Sequence, residues 1–394
     1  MPWKETDAMS QKKTFVIKAL GKDKSFTELC NEYGISTKTG YKWKARFLEE
    51  GWPGLDDQSR RPKTTGMPLP EEVVLEIIRL KNGKKNWGPY KIRKLYIRNH
   101  PDLKPPARSS FERVLDRAGF TVKKKRRRFA ISERIQNRVQ PTGPNHVWTV
   151  DFKGWWYTRE KERVNPLTVR DEFSKMILSI TVVEKGDIPN VKAEFVRLFK
   201  KYGLPRCIRS DNGPPFASHF NALGLTKLAV WWLALGIVLD RIDPGCPYQN
   251  GGHERMHLDM KRELEGHIAG GLHEQQHVMD EWKEEFDTER PHQALDGKCP
   301  AELYKPSETK YDPDIEDIEY PRGHQARKVN DRGCMSFRGK RYFVGNPFAG
   351  YSVGILLRKD GVHEAWFASV LLGELDPETE QIRFTSKLER AKTS

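Results

Sequence analysis

Residues 146–152 read His-Val-Trp-Thr-Val-Asp-Phe, a β-branched and aromatic run with one carboxylate, Asp151, close to its end. Such residues suit a pleated strand packed on a core, and strand is the reading for 146–157. An unpaired carboxylate buried in that setting is costly, so Asp151 calls for a cation or another partner. From Val147 onward strand and helix patterns alternate. Strands are expected at 167–170, 176–183 and 207–210 and helices at 191–202 and 225–235, which makes this stretch an α/β domain.

Two further acids occupy telling positions. Asp211 follows the strand Cys207-Ile-Arg-Ser and precedes Asn212-Gly213, a turn that aims its carboxylate off the strand tip. Glu254 follows a loop rich in Pro and Gly over 244–253 and opens a helix expected over 254–265. Any one of these acids alone is most simply a turn or surface residue. Together, converging from two strands and a helix, they form a set of hard oxygen ligands suited to Mg²⁺, with Mn²⁺ as a substitute. Two such ions, about 3.5–4 Å apart, activate an attacking oxygen and stabilise a leaving one.

Charge is distributed unevenly around this domain. Residues 1–140 carry 33 Lys and Arg against 16 Asp and Glu, whereas residues 141–394 carry 36 against 38, so the whole net charge of +15 lies in the first third. A basic field of that kind favours a polyanion, and nucleic acid is the first candidate. Residues 1–53 read as three short helices with helix–turn–helix spacing. Their apolar stripe runs through Phe15, Ile17 and Leu20, then Phe26, Leu29 and Cys30, then Tyr41, Trp43, Phe47 and Leu48. Ser25 with Glu28 fits a capping box, and Ser36 an N-cap. Lys38, Thr39, Lys42 and Lys44 on the third helix suit phosphates and base edges. Residues 54–69 form a basic linker with Arg60 and Arg61. Residues 70–128 form a second helical unit, its last helix capped by Ser109 or Ser110, ending in six consecutive cations: Lys123, Lys124, Lys125, Arg126, Arg127 and Arg128. A short linker, 129–140, leads into the α/β domain at 141–304.

Beyond it, 305–323 is an acidic, Pro-containing linker, and 324–394 shows alternating apolar positions with hairpin turns at Arg338-Gly339 and Asp360-Gly361, the pattern of a small β-barrel. The five cysteines stand singly with no CxxC pair, which suggests reduced thiols. No apolar run of about 18 residues and no secretory pattern is found. The expectation is a cytoplasmic protein without a membrane partner.

Four segments carry a resemblance: Trp148-Thr-Val-Asp151, Ser210-Asp-Asn-Gly213 with Phe216, Pro247-Tyr-Gln-Asn-Gly251 leading to Glu254-Arg255, and Arg290-Pro-His-Gln-Ala-Leu295. Together they resemble the integrase-type catalytic core, a ribonuclease-H-like fold shared by retroviral integrases and many bacterial insertion-sequence transposases. The resemblance covers residues 141–304, and the flanking segments look like those of the bacterial transposases. It implies a triad of Asp151, Asp211 and Glu254, cleavage at the ends of a mobile element, and transfer of the 3′-hydroxyl to target DNA. It also implies double-stranded DNA as partner and a homodimer or higher multimer that handles two ends. Asn250 matches a position that meets a DNA end. His257 and Lys261 share a helix face with Glu254, within reach of phosphates. The 42 residues between Asp211 and Glu254 make a longer interval than the resemblance leads one to expect. No His/Cys zinc domain of the retroviral kind precedes the core, which favours the bacterial branch.

Two other readings compete. His253-Glu-Arg-Met-His257 matches HExxH, in which two histidines hold zinc and the glutamate is the general base. A protease needs a third zinc ligand, and this reading leaves the basic first third, Asp151 and Asp211 without a role. A DNA-binding regulator with an inert core would use the same readers, but all three carboxylates are present.

Overall fold

The computed structural model describes residues 7–21, 23–57, 69–121, 139–183, 185–218, 220–243, 245–264, 268–314 and 318–390, in two compact units, Met1–Leu69 and Pro70–Ser394. Arg60, Arg61 and the run Lys123 to Arg128 lie outside the described residues.

The first unit holds α1 (Ala8–Gly21), α2 (Phe26–Glu32), α3 (Thr37–Glu50) and a 3₁₀ turn, Trp52–Leu55. Ser25 and Glu28 make the reciprocal capping box at α2, and Ser36 Oγ accepts the Thr39 N–H at 3.2 Å to start α3. Phe15, Val16, Ala19, Leu29, Cys30 and Leu55 form the core. A side chain at Gly40 would meet Cys30 Sγ at 2.6 Å, so only glycine lets α3 lie this close to α2. The expected stripe is shifted. Ile17 and Leu20 are exposed, because α1 turns Phe15, Val16 and Ala19 inward, and Tyr41 and Leu48 on α3 are exposed too.

In the second unit α4 (Glu71–Gly83), α5 (Pro89–Asn99) and α6 (Arg108–Arg117) pack around Ile77, Trp87, Ile92, Tyr96, Phe111 and Leu115. The N-cap of α6 is Ala107, which makes no side-chain hydrogen bond. Ser109 and Ser110 sit in the first turn instead of capping it. This bundle is tied to the α/β domain: Lys84 pairs with Glu285 at 2.9 Å and Glu289 at 2.8 Å, and Arg98 with Glu302 at 3.2 Å.

The α/β domain is built on one sheet. Its strands are β1 (Val147–Phe152), β4 (Pro166–Asp171), β5 (Ile177–Val182), β6 (Cys207–Ser210) and β7 (Val238–Arg241), in the order β5-β4-β1-β6-β7. β1, β4 and β5 are antiparallel, while β6 runs parallel to β1 and β7 parallel to β6. The strand expected over 146–157 breaks at 153–155, and β2 (Trp156–Tyr157) pairs instead with β3 (Arg163–Val164) as a separate hairpin. One face of the sheet, through Trp148, Val150, Leu167 and Val169, is covered by α7 (Ile188–Tyr202) and α8 (Lys227–Ala234). The other receives α9 (Gly251–Leu264) and α10 (Leu272–Glu284) through Met256, Met260, Met279 and Trp282 against Ile177 and Ile180. This is the ribonuclease-H-like arrangement. A short α11 (Pro300–Leu303) ends the domain.

The C-terminal region is a correction. β8 (His324–Lys328), β11 (Ser352–Leu357), β12 (His363–Phe367), β13 (Val370–Asp376) and β14 (Gln381–Arg390) form an open antiparallel sheet, order β14-β13-β12-β11-β8, beside the hairpin β9 (Cys334–Phe337) and β10 (Lys340–Phe343). β8 and β14 remain edges, so no barrel closes. The inward apolar side chains, among them Val353, Ile355 and Phe367, join the cluster that also holds the α7 and α8 residues, so burial is achieved without closure. The turn at Arg338-Gly339 is as expected, with φ of 49° and 77°.

Candidate active site

On β1 the side chains alternate. Trp148 and Val150 enter the α7 core, which leaves Thr149 and Asp151 on the face that α9 covers. On the antiparallel neighbour β4, Thr168 and Arg170 share that face. The sheet thus offers α9 a polar strip, and α9 answers with two imidazoles.

His253 is fully buried; its Nδ1 lies 2.8 Å from Thr149 Oγ1 and its Nε2 2.6 Å from Thr168 Oγ1. His257 Nε2 stands 2.7 Å from the same Thr168 hydroxyl, which itself donates to the Asp151 carbonyl at 2.8 Å. Burial holds both imidazoles neutral: His253 is lowered well below its ordinary pKa, and His257, beside the Lys153 and Arg170 cations, is pushed down to about 3. With the Thr168 proton on the Asp151 carbonyl, these contacts fit a Thr168 oxygen that accepts from both Nε2–H groups and a Thr149 hydroxyl that donates to His253 Nδ1. His257 Nδ1 then faces the Asp151 carboxylate, 3.8 Å away, as an acceptor. The start of α9 is pinned as well. Arg170, nearly buried, donates to the Gly252 carbonyl at 2.5 Å and pairs with Glu172. A methyl group on Gly252 would run into both side chains. α9 therefore begins at Gly251, earlier than the sequence suggested, straight after the 3₁₀ turn Pro247–Asn250.

The three acids sit on these elements. Asp151 is 28 % exposed, and burial raises its pKa to about 7; the charges of Asp211 and Glu254 push in the same direction, against the Phe152 N–H and Lys153. Asp211, off the tip of β6, accepts the Gly213 N–H at 3.1 Å. Glu254 is exposed in the first turn of α9. Asp151 feels the charge of both other acids, yet among the described residues no three His, Cys, Asp or Glu side chains are drawn into a common metal-holding group.

The other expected residues divide. Lys261 is exposed on α9 beside a cleft. Asn250 is buried, and its Oδ1 has no hydrogen-bond partner among the described residues. On α3, Lys38 and Lys42 are exposed, while Thr39 is half-buried at the cap and Lys44 lies over the Phe26 ring. Both ring nitrogens of His253 are engaged with threonines, so His253 and His257 do not form the zinc pair that HExxH suggested. Sequence reasoning passed over Thr149, Thr168 and Arg170. Their signal was the polar alternation on strands whose opposite side is apolar.

The matching family models follow this domain order. Models described as an integrase core domain match residues 141–247 and 235–300, a helix–turn–helix domain matches 11–63, and the C-terminal domain of an IS481 family transposase matches 324–383. The insertion element IS407 uncharacterized 31.7 kDa protein of Burkholderia multivorans is 27% identical over 236 residues, covering 59% of this chain and 80% of that one. The insertion element IS476 uncharacterized 39.2 kDa protein of Xanthomonas euvesicatoria is 26% identical over 256 residues, 64% of this chain and 69% of its own. Among solved structures, the HTLV-2 integrase catalytic core domain in complex with magnesium is 18% identical, with 42% of this chain and 100% of that one covered at a TM-score of 0.33. Helix–turn–helix unit and core together define a DNA-processing protein of the integrase-core class. Within that class the chain is a bacterial insertion-sequence transposase.

Proposed function

We propose that Asp151, Asp211 and Glu254 are the catalytic carboxylates with which this transposase cuts element ends and joins their 3′-hydroxyls to target DNA. The observation that carries this reading is the docking of α9. The contacts of His253 and Arg170 hold the Glu254 helix against the sheet face that bears Asp151, beside the strand that ends at Asp211. Three oxygen donors that repel one another, with Asp151 raised in pKa, fit divalent cations, and the triad would hold Mg²⁺, or Mn²⁺ in its place, as two ions. Bound there, the metal supplies charge neutralisation for phosphoryl transfer. The chain's own part is positioning. Thr168 fixes the Asp151 backbone and is itself held by His253 and His257, the Gly213 N–H orients Asp211, and Lys261 meets a phosphate further along α9. We assign His257 and Asn250 to support of the site, since both are held within the fold.

The remaining domain roles belong to the same proposal. Residues 1–53, with Lys38, Thr39, Lys42 and Lys44, and residues 70–128, with the cations at 123–128, recognise the element ends, aided by Arg60 and Arg61. The C-terminal sheet supports DNA or a second protomer, and the working complex is a dimer or larger. Asp151→Asn, Asp211→Asn and Glu254→Gln should each abolish cleavage and strand transfer in Mg²⁺ while leaving binding to duplex DNA intact. Full activity in any one of the three variants means that another carboxylate does the work.

A further inference from the structure

A cleft of about 380 Å³ opens between the β2–β3 hairpin and the second half of α9, lined by Lys153, Trp155, Trp156, Met260, Lys261 and Leu264 among others. Its volume is near the lower end for small-ligand pockets, too small for a duplex and suited to one nucleotide. The hairpin wall is built rather than loose. The N–H groups of Arg159 and Glu160 donate to the Ala269 and Gly270 carbonyls at 3.0 Å, and the Leu272 N–H donates to Glu162 at 2.9 Å. Trp156 is packed on the core, whereas Trp155 is 57% exposed, edge-on to an exposed Tyr157, with the Arg163 guanidinium 5.2 Å from its ring centre. Two neighbouring exposed rings beside a cleft offer a face on which a flat group can stack.

The two cations of the cleft tie it to the acids. Lys153 follows Asp151 by two residues, and its charge is felt at both Asp151 and His257. Lys261 lies on the helix that carries Glu254. Aromatic faces flanked by cations are what an unpaired nucleotide needs: base stacking on a ring and phosphate on ammonium groups. We propose that this cleft receives one unpaired nucleotide next to the bond being cut, its base against Trp155 and its phosphate between Lys153 and Lys261. The inference rests on the transposase reading for the identity of the polymer.

The test uses the full chain in buffer without divalent metal and two oligonucleotides: a nicked duplex with one unpaired 2-aminopurine at the nick, and the same duplex fully paired. Binding should quench the unpaired 2-aminopurine and favour that duplex by about 10-fold, a size within reach of one stacked base. Trp155→Ala should remove both the quench and the preference without changing affinity for the paired duplex. Trp155→Phe should keep most of each. A quench that survives Trp155→Ala overturns the proposal, as does an equal loss of affinity for both duplexes. Because nothing is cleaved in this assay, its outcome is separate from that of the carboxylate variants in Mg²⁺.

Discussion

Asp151 carries a carboxyl whose folded pKa, about 7, lies above its ordinary value near 3.8, with burial as the first cause. The folded state therefore holds this proton more tightly than the unfolded chain does. The stabilisation is fully present below about pH 4 and is lost as pH rises through 7. In metal-free buffer, Asp151→Asn should melt above the parent protein at pH 8, and the gap should close towards pH 4, at about 2–4 °C for each kcal/mol of relief. Mg²⁺ should raise the melting point of the parent at pH 8 and do so much less in the variant. A pH-independent gap would show that the carboxyl is solvated in the fold. The candidate acids were readable from sequence because each stands beside an unusual neighbour, a strand interior or a Gly turn. The threonine–histidine network was not, since its partners come from two strands and a helix far apart in the chain.

Helix α9 is the element on which the site turns, and its far end is clamped as firmly as its start. Arg290, almost fully buried, pairs with Glu263 and, at 3.5 Å, with Asp259, while its guanidinium lies near the rings of Phe286, Trp282 and Trp87. Arg290→Met would leave the largely buried Glu263 without its cation and Asp259 with Arg255 alone, at a cost of about 3–5 kcal/mol, read as a fall in the urea midpoint. Arg290→Lys should recover only part of this, because an ammonium lacks the planar fork. Recovery to the parental midpoint would mean that charge alone matters. Arg290 was quoted in the sequence for its motif, and nothing local revealed the clamp. Elements with strong periodicity or caps, such as α2, α3 and α7, were legible. The short strand β7 was missed: four residues give too little alternation to read, and its place is set by parallel pairing with β6. The C-terminal strands were legible as strands, but whether they close depends on what covers them, and here the α/β domain does.

At the scale of the molecule, the excess positive charge is concentrated after the first unit, and on the proposed roles residues 70–140 contribute more to the charge-driven part of DNA binding than residues 1–69. Residues 1–69 carry 13 Lys and Arg against 9 Asp and Glu, whereas 70–140 carry 20 against 7. Deleting residues 1–69 should reduce discrimination between an element end and random duplex and lower the salt slope less than loss of the cations at 123–128 does. Replacing all six cations at 123–128 with glutamine should flatten the slope of log affinity against log salt by up to about 5, at roughly 0.9 for each phosphate contact. Filter binding across a salt series checks both, and a slope that follows the deletion instead reverses that ranking. The strand order also sets a sequence in time. β1, β4 and β5 pair through short connections, β6 reaches β1 only after the α7 crossover, and Glu254 comes 103 residues after Asp151. Longer loops close later, and domains synthesised first fold first. On the proposed roles, a chain still leaving the ribosome completes its helical DNA-reading unit first and the helix that carries Glu254 only after the sheet strands it packs on, so its grip on DNA matures before its power to cut.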